Sequence, residues 1–126
     1  MQKQRKKVLA ALEELFFTVK ITDAAKRAGM PVEFVKNADE VVEKAKAEPT
    51  ALIIVDLNFT ALEPLALIRR LKSDPELRRV SVIGYLSHIQ GELKQKAHET
   101  GVDMVLARAA LSQNLPQILK RHAGNP

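Results

Sequence analysis

Leu52-Ile53-Ile54-Val55-Asp56-Leu57-Asn58 is the stretch on which the fold turns. Its apolar residues, β-branched at Ile53, Ile54 and Val55, run unbroken into one carboxylate. A short run of this kind marks a strand buried on both faces, as in the middle of a parallel sheet. Asp56 falls where that strand should end. In open α/β sheets, ligands bind outside the carboxyl ends of the strands, where strand order reverses. The acid on the best core strand is therefore also well placed for chemistry. The competing reading is that Asp56 only solvates a strand end or caps the next turn.

Downstream, residues 58–63 form an irregular loop. Pro64 suits the first turn of a helix, whose buried face is Leu65, Leu67, Ile68 and Leu71. A turn at Ser73-Asp74-Pro75-Glu76 leads to a strand over 80–86. A polar helix over 92–100 has Leu93 and Ala97 as its apolar anchors, a supporting Glu92–Lys96 pair and Gly101 as its stop. A strand over 102–107 follows. Leu115, Ile118 and Leu119 mark a last helix that ends near His122.

Upstream, Pro49 closes a helix that carries Val41, Val42 and Ala45 on its apolar side. Asn37 with Glu40 has the form of its capping box. Before it, Pro31 opens a strand over 32–35. Phe16, Val19, Ala24 and Ala28, with Phe17 and Ile21 nearby, recur at a helical period up to Gly29. Val8 to Leu12 is a first strand, although the same residues could open a helix running on through Glu13, Glu14 and Leu15. Five strands alternating with five helices predict one α/β domain with a parallel sheet, helices on both faces and right-handed crossovers.

The chain has 126 residues, enough for one domain and its core. It has no cysteine, which excludes disulfides, thiolate catalysis and cysteine zinc sites. His88, His98 and His122 are scattered and form no ligand cluster. No apolar run approaches membrane-spanning length and no signal region follows the start, so a soluble, cytoplasmic protein is expected. Net charge is +5, much of it from Lys3, Arg5, Lys6 and Lys7. This basic leader, 1–7, precedes the domain at 8–122, and 123–126 form a frayed tail. Such a leader could touch nucleic acid, but it is more often a solvated lead-in. With one Tyr, four Phe and no Trp, stacking platforms for single strands are scarce.

The acid-terminated strand IIVDL and the later LALIRRLKSDPELRRVSVI resemble the receiver domain of bacterial two-component response regulators. Weaker similarity extends over nearly the whole chain. The resemblance implies a flavodoxin-like (βα)5 doubly wound sheet with strand order 2-1-3-4-5, an order for which the chemotaxis receiver is itself a standard example. It also implies an aspartate that takes a phosphoryl group beside a magnesium ion. Phosphoryl transfer is mostly positioning and charge neutralisation. A bare carboxylate would repel the phosphate by about 4 kcal/mol at 4 Å and an effective dielectric of 20.

Carried over residue by residue, Asp56 matches the phospho-acceptor and Asn58 would supply a metal-binding carbonyl. Glu13 and Glu14 fall where the family's metal-holding acid pair belongs, or they simply open the first helix and favour its dipole. Arg108, 52 residues after Asp56 (108 − 56), takes the place of the family's lysine, with Ala109 where a proline usually follows. Close to Asp56, Arg108 could form a bidentate ion pair with it. An ungapped match puts Leu86 at the hydroxyl position, and Ser87 serves only if Gly84 allows a bulge. Val105 stands at the switch aromatic, Pro64 where a glycine is common, and His88 near the site.

The resemblance therefore implies a stand-alone receiver-like signalling module rather than an enzyme. It would act through protein contacts with a histidine kinase or a downstream effector on the helix 4–strand 5–helix 5 face, with room for a homodimer. Phosphorylation of Asp56 with Mg2+ and a degenerate pseudo-receiver without phosphotransfer are both open. A ligand-binding enzyme is disfavoured, because Glu13-Glu14-Leu15-Phe16-Phe17 is the wrong chemistry for a dinucleotide turn. A nucleic-acid adaptor using the leader is a further alternative.

Overall fold

The computed structural model describes residues 6–87 and 90–123. Strands β1 (Lys7–Ala11), β2 (Val32–Val35), β3 (Thr50–Asp56), β4 (Ser81–Leu86) and β5 (Met104–Ala107) alternate with helices α1 (Leu15–Ala28), α2 (Ala38–Ala47), α3 (Pro64–Ser73), α4 (Gly91–His98) and α5 (Arg108–His122). All strand pairs are parallel, in the order β2-β1-β3-β4-β5. The doubly wound sheet expected from the sequence is the one observed.

The central strand shows why its apolar run is continuous. Ile53 and Val55 enter one core layer, with Val41, Ile68 and Leu71. Leu52 and Ile54 enter the other, with Phe17, Ile21, Leu111 and Leu115. Successive strand residues point to opposite faces, so each layer needs its own apolar set. By the same alternation Asp56 follows Ile54, toward α1 and α5. Asp56 is 9% exposed.

The helix ends follow ordinary capping chemistry. Asn37 Oδ1 accepts the N–H groups of Asp39 and Glu40 at 2.8 and 3.2 Å, which satisfies two orphan donors at the start of α2. Gly29 adopts φ 72° at the end of α1, a left-handed cap that glycine takes without a Cβ clash. Pro64 is the first residue of α3. The Glu92–Lys96 pair forms at 3.3 Å.

Three expectations change. The interior face of α1 is Phe17, Ile21, Ala24 and Ala25, while Phe16 and Val19 point to solvent. Both stripes have helical spacing, and the one that includes the small Ala24 and Ala25 lets the helix approach the sheet. Lys7 belongs to β1 rather than to a solvated leader, which among the described residues leaves Lys6. Lys7 is 4% exposed, and its amine lies 2.9 Å from Glu33 and 2.7 Å from Glu48. Burial works to lower its pKa, but the two carboxylates outweigh burial and raise it. The last strand starts at Met104, not at residue 102, and α5 begins directly after it at Arg108. Lys3 and Arg5 of the leader lie outside the described residues, as do His88 and most of the tail.

Candidate functional site

The β1–α1 loop, the end of β3, the end of β4 and the start of α5 meet at the carboxyl edge of the sheet. Parallel pairing brings them together: Ala11 is in register with Val55, and Asp56 with Tyr85. Asp56 Oδ1 accepts the N–H of Asn58 at 2.8 Å, a local turn that holds the carboxyl at the strand end. Asn58 Oδ1 accepts the N–H of Ser87 at 2.8 Å, and Asn58 Nδ2 donates to Gln90 Oε1 at 2.9 Å. The Asn58 side chain thus ties the loop after β3 to the segment before α4.

Glu14, rather than Glu13, is the acid at the centre. Arg108 Nη1 donates to Glu14 Oε1 at 2.6 Å, and the Tyr85 hydroxyl donates to Glu14 Oε2 at 3.2 Å. The expected Arg108–Asp56 ion pair is replaced by this Glu14–Arg108 pair. As the first residue of α5, Arg108 is carried toward α1 and the β1–α1 loop, and Asp56 feels its charge only weakly. Glu13 is exposed, and neither acid lies in the first helical turn.

Tyr85 escaped the sequence reading. It is 1% exposed and packs edge-on against Phe17 with ring centroids 4.9 Å apart. Strand alternation could have found it, since the β4 residue opposite Asp56 must share its face. Burial, then the charges of Asp56 and Glu14, raise the Tyr85 pKa, so its hydroxyl stays a donor. Leu86 points the other way, into the α2–α4 layer, as does Val105. The β4 register is unbroken, so no bulge turns Ser87 inward. Gly84 instead makes room for a neighbour: a Cβ there would lie 3.0 Å from Cδ1 and Cδ2 of Leu57.

Burial pushes the Asp56 carboxyl above its ordinary pKa. The Asn58 N–H opposes that rise, the nearby Glu14 carboxylate adds to it, and the Tyr85 hydroxyl and Arg108 oppose it.

The donor set does not fit a magnesium ion as it is arranged. Magnesium requires near-octahedral oxygen ligands. Both Glu14 oxygens already accept hydrogen bonds, one from a guanidinium whose charge repels a cation. Among the described residues, no group of three or more His, Cys, Asp or Glu is placed to hold a metal.

A search of solved structures finds the same architecture. The chemotaxis response regulator CheY4 of Vibrio cholerae is 19% identical, with 94% of this chain and 99% of that one covered and a TM-score of 0.79. This chain has the receiver fold. A receiver domain of a Pseudomonas aeruginosa sensor histidine kinase, with magnesium in its active site cleft, is 20% identical at a TM-score of 0.79, covering 97% of this chain and all (100%) of that one. Among curated proteins, a gliding motility regulatory protein of Myxococcus xanthus is 31% identical over 86 residues, which is 68% of this chain. The chain spans 11% of the length of that relative. No protein-family model matches. On the receiver fold, Asp56 ends the central strand, as the resemblance implied, while a guanidinium–carboxylate pair stands beside it. No helix among the described residues is long and apolar enough to cross a membrane.

Proposed function

We propose that this chain is a receiver-type signalling module that works through protein contacts, with the acid beside Asp56 tied up in an internal ion pair rather than free for magnesium-dependent phosphotransfer. The observation that carries this reading is the 2.6 Å Glu14–Arg108 ion pair. The Arg108 guanidinium holds Glu14, the acid that a metal would need. The buried, uncharged Tyr85 hydroxyl adds a further donor to the same acid. Similarity to a gliding motility regulatory protein supports a regulatory role over a metabolic one. Partners on this reading are other signalling proteins, a histidine kinase or an effector among them.

A working phospho-acceptor is the second reading, favoured by the position of Asp56 at the end of β3. Incubation with a small phosphodonor and magnesium, followed by intact mass and peptide mapping, separates the two. The expected result is no phosphoryl adduct on Asp56 under conditions that label an ordinary receiver. An adduct that disappears in Asp56→Asn would establish the switch and overturn the locked reading.

A further inference from the structure

Helices α1 and α5 lie side by side on one face of the sheet and leave a groove of about 460 Å3 between them. One face of each helix lines it. On α1, Lys20, Ala24, Arg27 and Ala28 recur at i, i+4, i+7 and i+8, and on α5, Ser112, Leu115, Pro116 and Lys120 recur at i, i+3, i+4 and i+8. Ala24 and Ala28 each present only a methyl group, which leaves the space open. Pro116 lies inside α5 and has no N–H, so the Ser112 carbonyl, four residues back, lacks its helical donor.

The two ends of the groove differ. At one, the Lys20 amine donates to Ser112 Oγ at 2.8 Å and ties α1 to α5. One pair of helical turns further on, the shared spacing brings Arg27 to the level of Lys120. Between the ends the floor is apolar, with Ala24 and Leu115 buried. Three cations and one acid, Asp23, surround it, a net charge of +2 (3 − 1). Asp23 lies 3.3 Å from Arg27. Neither lysine has a carboxylate partner among the described residues.

We infer that this groove binds a small organic phosphate, a phosphomonoester whose head meets Arg27 and Lys120 and whose flat apolar body lies over Ala24, Leu115 and Pro116. A hydroxyl or amine on the far side of that body would find the Ser112 carbonyl. Charge and surface select the class together. A phosphomonoester carries close to two negative charges at pH 7, which matches the net charge of the lining. A metal ion would meet three cations and one acid. An inorganic anion would leave the apolar floor uncovered. An apolar hollow between helices with a few placed polar groups is a common form of small-ligand site. The site is separate from Asp56 and does not rest on the protein-contact reading. Its occupant would bridge the same two helices that Glu14 and Arg108 join at their starts. The domain would then have a small-molecule input that needs no phosphotransfer.

The probe is 1-naphthyl phosphate, added to the whole chain in EDTA so that magnesium-dependent chemistry at Asp56 is silent. Amide chemical shifts are the readout. The expected result is saturable shifts confined to residues 20–28 and 112–120. The ester should bind at least about tenfold more tightly than inorganic phosphate or 1-naphthol, which carry its head and its body separately. Arg27→Gln with Lys120→Gln should weaken it at least about tenfold, with the rest of the amide spectrum unchanged. Ala28→Leu, which fills part of the groove, should weaken it as well. Phe16→Ser lies outside the groove and should leave the affinity within about twofold. Absence of saturable shifts overturns the inference, as does equal binding of phosphate or of naphthol. So does full affinity in the Arg27→Gln, Lys120→Gln variant, or shifts centred on Glu14, Asp56 and Arg108. Cosedimentation with phosphatidic acid vesicles, without saturable binding of the ester, would assign these cations to a membrane surface and overturn it too.

Discussion

Arg108 and Glu14, 94 residues apart, meet at 2.6 Å at the carboxyl edge of the sheet, and Asp56 is left to its own local turn. The pair is partly exposed, with side-chain accessibilities of 43% and 28%, so its worth is modest. A double-mutant cycle with Arg108→Gln and Glu14→Gln in urea should return a coupling of roughly 0.5–1 kcal/mol, smaller in strong salt. The corresponding cycle between Arg108 and Asp56 should lie within about 0.3 kcal/mol of zero. Coupling of similar size in both cycles would place the guanidinium between the two acids.

Asp56 gives the site a pH dependence of definite sign. Burial raises its folded pKa above that of the unfolded chain. Between the two values the folded state binds more protons than the unfolded one, so stability falls as pH rises through that window. Asp56→Asn removes the buried charge and keeps an Oδ1 for the Asn58 N–H. It should therefore stabilise the fold at neutral pH, and the gain should shrink as pH drops toward the unfolded value of 3.8. Urea melts of both proteins across that range measure the difference. A gain that grows on acidification would mean the folded pKa is lowered, not raised.

Tyr85→Phe should remove one donor from Glu14 while keeping the ring contact with Phe17. The expected cost is about 1 kcal/mol. The Tyr85 hydroxyl also helps to hold down the Asp56 pKa. Its loss should therefore move the Asp56 carboxyl-carbon titration to higher pH by NMR. An unmoved titration would show that Tyr85 serves Glu14 alone.

The sequence made some of this site readable and hid the rest for physical reasons. The acid-terminated run at 52–56 and the glycine stops at 29 and 101 are local signals that mark where a strand and two helices end, whereas the strand order came with the receiver resemblance. On α1, apolar residues line two helical stripes, and periodicity alone does not say whether Phe16 or Phe17 faces inward. Packing decides that, because only the stripe with Ala24 and Ala25 lets the helix lie close to α5 and the sheet. Counting from Asp56 brought Arg108 to the correct edge. Which acid it reaches depends on where α5 begins and how its first turn aims the side chain, and no spacing rule encodes that. Tyr85 was readable by strand alternation, since the β4 residue in register with Asp56 shares its face.

The strand order also sets when the site becomes complete during synthesis. β1 and β3 are neighbours, so Glu14 and Asp56 can share one sheet edge once the chain has grown past residue 56. The counter-charge waits for another 52 residues (108 − 56). At typical elongation rates that gap is roughly 3–10 s. Until then the edge carries the Glu14 and Asp56 carboxylates without the guanidinium that pairs with Glu14 in the finished domain. Arg108 acts as a latch that closes last, and a chain that stops short of it would leave the Glu14 carboxylate, in the loop after β1, without its counter-charge beside Asp56.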